Sequence, residues 1–351
     1  MTAATPRVSV VIPAYNAEDL MRTCLESVLA SEGVTFEVIV VNDASTDATA
    51  RVAQDFGCRV ISLRANILSA NCRNLGAELA RGEIVVFFDA DQTMAPDTLK
   101  KYAAVLDREP EVTAVVGSLA ARTPLPGFFS QFKNFQHHYT HQTADPEGTT
   151  LASGLMAVRR DAFLALGGFE PAFAGASIED IALGYHMVRN GHRIRFAPAI
   201  QVVHWKGYTL RQLIHSDIVH RAVPWTGLML RERVYRNDLN TKGGNVASVG
   251  VAALAVLGTL AGIVGLQPGW FVALGAVALI VLLNRHFLAA IQREFGLSFA
   301  VRSAVFLPLM YTYYGVGLLA GIGAYASGKS VASGRRAPEP DYELIEPEPS
   351  P

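Results

Sequence analysis

The chain has 351 residues, of which 50% are apolar and 17% charged, with a formal net charge of -1 and a mean hydropathy of +0.26. That length admits more than one domain, and that apolarity exceeds what an ordinary soluble enzyme carries. A balanced charge with no basic stripe excludes nucleic acid as the main partner. The apolar excess gathers after residue 245, whereas the first two-thirds has the mixed composition of an α/β domain. Cys24, Cys58 and Cys72 lack metal-ligand spacing and read as reduced, buried thiols of a cytosol-facing domain. Residues 1–6 read as a flexible N-terminus without an apolar signal segment.

Val8 to Ile12 is the first expected strand, closed by the turn Pro13-Ala14-Tyr15-Asn16. The spacing of Leu20, Cys24, Leu25, Val28 and Leu29 predicts a helix over 18–30 with one apolar face. A second strand, 36–41, runs into Asn42-Asp43-Ala44-Ser45-Thr46-Asp47, and a third, 59–63, precedes a helix over 71–80. Strand alternating with helix calls for right-handed crossovers and a parallel sheet. Neither a Gly-x-Gly-x-x-Gly nor a Gly-Lys-Ser/Thr phosphate loop is present, so dinucleotide and P-loop readings fall away.

Ile84 to Phe88 is a fully apolar strand, followed at once by Asp89 and Asp91. Two carboxylates leaving one strand end stand at the carboxyl edge of the sheet, where open α/β sheets bind ligands. Their mutual repulsion invites a hard divalent cation, Mg²⁺ or Mn²⁺, that shares oxygen ligands with a phosphate.

Four motifs in order, Val8-Ser-Val-Val-Ile-Pro-Ala-Tyr-Asn16, Val40-Val-Asn-Asp-Ala-Ser-Thr-Asp47, the Arg73-Asn74 helix start and Phe88-Asp-Ala-Asp91, resemble the inverting family-2 glycosyltransferases of GT-A fold over roughly residues 7–210. The resemblance implies an α/β GT-A nucleotide-sugar-binding domain with a mostly parallel sheet at 7–205, followed by an α-helical membrane domain. It implies that Pro13 and Tyr15 line the base and ribose of a nucleotide sugar, that Asp43 accepts from the base, and that Arg73 sits near the base or diphosphate. Asp89 would meet the ribose or a metal-bound water, and Asp91 would hold the metal. Asn42 stands where many relatives carry another Asp, which leaves UDP-sugar over GDP-sugar as a preference only.

Between 110 and 150 the chain is aromatic, and Phe128, Phe132, Phe135 and Tyr139 fit one helical face that either meets an acceptor or membrane or packs a core. His137, His138 and His141 read as solvated. Gly154 opens a strand where backbone approaches a ligand on the acceptor side. Ser177-Ile-Glu-Asp180 reads as a helix start whose first-turn carboxylates the helix dipole stabilises. The pair Glu179-Asp180 also matches the family's catalytic position, which implies Asp180 as the base. His204, at the end of a later short strand, offers a further metal ligand.

Residues 206–245 mix apolar and basic side chains as interfacial helices do. The Gln-x-x-Arg-Trp of processive family-2 synthases is absent, and His220-Arg-Ala-Val-Pro-Trp225 stands in that region. Arg221 would reach the diphosphate, and Trp225 would line the acceptor entrance or anchor in the interface. Three apolar runs, 246–266, 268–284 and 303–326, are expected spans within a 246–326 membrane region, the middle one short enough to be re-entrant. Arg285, Arg293 and Arg302 place their segment beside the catalytic domain on the cytoplasmic side of an inner membrane, with the tail opposite. Residues 327–351, rich in Pro and Glu, read as disordered. The expected activity is transfer of one sugar to a lipid-linked or membrane-embedded acceptor, such as a polyprenyl phosphate or glycolipid, among membrane lipids. The alternatives are a processive polysaccharide synthase and a non-catalytic nucleotide-sugar-fold scaffold.

Overall fold

In the computed structural model, residues 5–171, 178–233, 243–328 and 339–347 are described. Ser177 of the expected helix start, residues 234–242 of the expected interfacial stretch and most of the tail lie outside them. Two compact units result: residues 5–125, 144–206 and 339–347 form one, and residues 126–143 with 207–328 form the other.

The first unit is built on a mixed sheet. Its strands are β1 (Val8–Ala14), β2 (Phe36–Asn42), β3 (Arg59–Leu63), β4 (Ile84–Phe87), β5 (Gln92–Met94), β6 (Val112–Leu119), β7 (Glu147–Gly148), β8 (Met156–Arg159), β9 (Arg193–His204) and β10 (Tyr342–Ile345). They lie in the order β10-β3-β2-β1-β4-β8-β6-β9-β5, with β7 beside β9. The parallel pairing read from the sequence holds from β3 through β2 and β1 to β4. Beyond β4 the sheet turns mixed, because β8 pairs antiparallel with both β4 and β6. Every residue of β1 is buried, as a strand flanked on both sides and covered on both faces must be. Helix α1 (Glu18–Leu29) buries Met21, Cys24, Leu25 and Val28, a stripe at helical spacing. At about 1.5–3 kcal/mol for each large apolar side chain removed from water, that stripe outweighs the helix's own propensity.

Helices α2 (Thr49–Asp55), α3 (Ser69–Leu79), α4 (Thr98–Arg108), α6 (Arg160–Ala165) and α7 (Glu179–Arg189) complete this unit. One stretch departs from expectation. Tyr342–Ile345, placed in the disordered tail by its Pro and Glu content, is a strand antiparallel to β3. An open edge offers unpaired N–H and C=O groups that satisfy any adjacent extended segment, whatever its composition.

The second unit is helical: α5 (Phe128–Gln142), α8 (Leu210–His215), a π-helical turn at Ser216–Ala222, α9 (Val223–Glu232), α10 (Gly243–Ile263), α11 (Pro268–Leu283), α12 (Arg285–Phe295) and α13 (Leu297–Ala326). The aromatic face of α5 packs a core here: Phe128 meets Phe299 and Phe306, and Phe132 and Phe135 meet Phe287. Helices α10 and α13 are each long and apolar enough to cross a membrane, with mean hydropathies of 2.2 and 1.5, while α11 and α12 are bent by 65°. Helices α10 and α11 approach closely where Gly258 and Gly262 face Gly269, Trp270 and Ala273; a Cβ added at Gly258 would lie 2.8 Å from the backbone of α11. Small residues permit such contact between apolar helices.

Candidate active site

The carboxyl ends of β1, β2 and β4 share one edge, since Ala14 pairs with Asn42 and Phe87 with Val11. Because β8 runs the other way, its start lies at that same edge, with Phe87 opposite Met156. This antiparallel pairing sets Gly154 against Asp89. A Cβ on Gly154 would stand 2.4 Å from Asp89 Oδ2, so only glycine leaves the carboxylate its space.

Asp89 is held by Arg73, whose Nη2 donates to Oδ1 at 2.6 Å. The other end of the same guanidinium reaches Glu179 Oε1 at 3.3 Å. Arg73 and Glu179 are both buried; burial works to lower the Arg73 pKa, but the charge and hydrogen bond of Asp89 leave it raised. Arg73 thus bridges the Asp89 and Glu179 side chains. Burial, then the neighbouring Asp180 charge, pushes Glu179 up to about 8. Its second oxygen, Oε2, is buried without a hydrogen-bond partner, which favours the protonated acid.

Asp180, the next residue, faces differently. Its Oδ2 accepts the Ser153 N–H at 3.0 Å and its Oδ1 accepts the Ile181 N–H at 2.8 Å. Both oxygens act as acceptors, the arrangement of an ionised carboxylate. Ser153 precedes Gly154, so Asp180 and Asp89 are tied to adjacent residues of one loop.

Asp91 stands beside His204, with Oδ2 and Nε2 3.3 Å apart. The register that places Gln92 opposite His204 across β5 and β9 creates this meeting. Burial alone would raise the Asp91 pKa, but the His204 hydrogen bond and the charges of His204 and Lys206 hold it below the usual carboxylate value. A carboxylate and an imidazole side by side suit Mn²⁺ or Mg²⁺, whose remaining positions a diphosphate can fill. No group of three or more His, Cys, Asp or Glu side chains with ligand geometry occurs among the described residues. Asp89 gives one oxygen to Arg73, so Asp91 and His204 are the better-placed donors.

Asp43 is buried at the end of β2, and its two oxygens accept the N–H groups of Ile67 at 2.7 Å and Leu68 at 3.0 Å. Leu68 has a positive φ of 71° with ψ 154°, a backbone region almost confined to glycine that costs about 1–3 kcal/mol. Asp43 thus secures the loop that leads into α3. Pro13 lies buried in β1, and the Tyr15 ring just beyond it is exposed.

Residues 9–167 match the family model described as Glycosyl transferase family 2. The chain carries a family-2 glycosyltransferase domain. It is 44% identical over 99 residues to the succinoglycan biosynthesis protein ExoO of Rhizobium meliloti, covering 27% of this chain and 28% of that one. It is 37% identical over 106 residues to the putative teichuronic acid biosynthesis glycosyltransferase TuaG of Bacillus subtilis, covering 29% of this chain and 42% of that one. These matches span less than half the length of either relative. Among solved structures, the mannosyltransferase PcManGT from Pyrobaculum calidifontis in complex with GDP-Man and Mn²⁺ superposes with a TM-score of 0.58 at 20% identity, over 93% of this chain and 89% of that one. Staphylococcus aureus TarS 1–349 in complex with UDP-GlcNAc superposes with a TM-score of 0.51 at 19% identity, over 97% of this chain and 100% of that one. Both share the fold.

At one sheet edge the structure gathers Arg73, Asp89, Asp91, Gly154, Glu179, Asp180 and His204, the last three beyond the matched residues. Arg221 and Trp225 belong to the helical unit. There Arg221 Nη1 lies 2.9 Å from His137 Nε2, and Trp225 is buried. Sequence reasoning missed the Ser153 N–H and Lys206, which join the site through backbone register and carry no motif. It also missed the buried ion pair Lys133–Asp217 of the helical unit, at 2.7 Å.

Proposed function

We propose that this chain is a membrane-anchored, metal-dependent inverting glycosyltransferase that moves one sugar from a nucleotide-sugar donor, UDP-linked in preference to GDP-linked, to a lipid-linked acceptor. The observation that carries the reading is the convergence of Asp180, Asp89 and the Asp91–His204 pair on one carboxyl edge. Asp180, hydrogen-bonded through both oxygens and adjacent to the Gly154 loop, takes the proton of an acceptor hydroxyl as that oxygen attacks the anomeric carbon. The new C–O bond forms on the face opposite the breaking bond to the nucleoside diphosphate, so one displacement inverts the centre. With a phosphate acceptor the nucleophile is already an anion, and Asp180 orients it.

Asp91 and His204 would hold a divalent ion, which would supply positive charge for a departing diphosphate. Arg73 fixes Asp89 and Glu179 so that neither shifts when donor binds, and Glu179 in its neutral form adds no repulsion to an anionic donor. Pro13, Tyr15 and the loop secured by Asp43 form the nucleoside side of the pocket. Support for a nucleotide-sugar donor comes from the ligands in the complexes of the two fold neighbours, GDP-Man and UDP-GlcNAc. Turnover of radiolabelled nucleotide sugars in purified membranes tests the proposal. Activity that survived EDTA, Asp91→Ala and Asp180→Asn alike would overturn it.

A further inference from the structure

Hydropathy selects α10 and α13 as the helices fit to cross a bilayer, and three apolar runs would leave the tail on the far side from the catalytic sheet. The pairing of β10 forbids that. Leu63, Ser62, Ile61 and Val60 of β3 pair with Tyr342, Glu343, Leu344 and Ile345. The Arg64 N–H donates to the Asp341 carbonyl at 3.0 Å, and Arg59 and Arg81 each donate to Glu346 at 3.0 Å. Strands exchange backbone hydrogen bonds only in one compartment, so the tail and the catalytic sheet share a side.

Contacts within the helical unit show which helices turn back. Asn284, at the end of α11, donates to Ser248 Oγ near the start of α10 at 3.2 Å. Helices α10 and α11 are therefore a hairpin that ends at the level where it began. The Tyr311 hydroxyl, in the middle of α13, meets Asn245 at 2.9 Å and Asn284 at 2.7 Å. The midpoint of α13 thus lies at the polar level marked by the start of α10 and the end of α11. Further along, a Cβ on Gly317 would stand 2.6 Å from Ala222 and one on Gly321 2.6 Å from Thr226. Both partners precede α10 in the chain. The C-terminal half of α13 therefore packs on Ala222 and Thr226 as well as on Val249 of α10, and the β10 pairing requires that it not carry the chain across.

We propose that α10 and α11 enter the membrane and return, that α13 lies along the near interface without crossing, and that residues 339–347 close onto the catalytic sheet on the same side. The inference rests on the membrane reading above and fixes its topology. It makes the helical unit a loop anchored at both ends to one domain, with an even number of crossings.

The native cysteines are buried, so single added cysteines report alone. The full chain carrying Asp161→Cys, on an exposed position of the catalytic domain, Ser327→Cys after α13, or Glu343→Cys in β10 is placed in sealed membrane vesicles of each orientation. A membrane-impermeant maleimide is then added. All three positions are expected to label in the same orientation and to lose labelling in the other. Labelling of Ser327→Cys or Glu343→Cys in the orientation opposite to Asp161→Cys overturns the proposal. Hydrogen exchange of the unsubstituted chain in nanodiscs is a second measurement, with slowed exchange expected for 342–345 and free exchange counting against it. Alkaline carbonate extraction separates the two readings. Retention in the pellet with split labelling defeats the topology alone, and release into the supernatant defeats the membrane reading and the topology with it.

Discussion

Asp91 and His204, 112 residues beyond Asp91's neighbour Gln92 in register, come within 3.3 Å of each other because β5 and β9 run antiparallel at the end of the sheet. Two donors of different softness on one spot favour Mn²⁺ over Mg²⁺. Asp91→Ala is expected to reduce turnover about 10²–10³-fold, the loss typical of removing one preorganised electrostatic contact. His204→Ala is expected to spare more activity and to abolish a preference for Mn²⁺ over Mg²⁺. Metal titrations of turnover for the three proteins check both, and an unchanged Mn²⁺ preference in His204→Ala would remove His204 from the donor set.

Glu179 gives folding a pH dependence of definite sign. Its folded pKa, about 8, lies above the ordinary value of 4.5. Between those values the folded chain holds a proton that the unfolded chain has released, so stability falls as pH rises through that window. The contribution is complete below about pH 4.5 and lost above about pH 8. Thermal unfolding of Glu179→Gln, which keeps the neutral shape, is expected to show a flatter decline from pH 5 to 8 than the natural chain. An identical slope for the two would mean that Glu179 is ionised in the fold.

The central strands could be read directly because β1, β2 and β4 are buried on both faces, which writes them as unbroken apolar runs. The Asp89-Ala-Asp91 edge followed from where β4 ends. What could not be read depends on register between distant segments. Arg73 holds Asp89 and Glu179, and the Asp43 oxygens accept from a loop 24 and 25 residues onward. Nothing local distinguishes a carboxylate that binds ligand from one that binds backbone. The β10 strand was hidden by a composition poor in apolar residues, since an edge strand needs a partner's free hydrogen-bonding groups more than a core face.

Gly154 is a steric claim. The substitution Gly154→Ala places a methyl group where Asp89 Oδ2 now lies, 2.4 Å away, and Asp89 cannot retreat because Arg73 holds its other oxygen. The variant is expected to fold, with KM for the nucleotide sugar raised and kcat lowered together. Donor titrations by thermal shift and steady-state kinetics check it. Wild-type donor affinity in Gly154→Ala would place the donor away from Asp89.

Lys133 and Asp217 form a buried ion pair at 2.7 Å in the helical unit, with the Tyr313 hydroxyl on the other Asp217 oxygen at 3.1 Å. Burial lowers the Lys133 pKa, and the Asp217 charge opposes that shift. Removing one member leaves a charge without its counter-ion in a low-dielectric place, which costs about 3–5 kcal/mol, whereas replacing both with apolar groups is often neutral. Asp217→Leu is therefore expected to destabilise the helical unit strongly, and Lys133→Met combined with Asp217→Leu to recover most of the loss. Chemical unfolding in detergent, followed by a probe in the helical unit, measures the coupling. A double variant as unstable as the sum of the single ones would show that the two residues act separately and that the pair does not hold α5 to the π-helical turn.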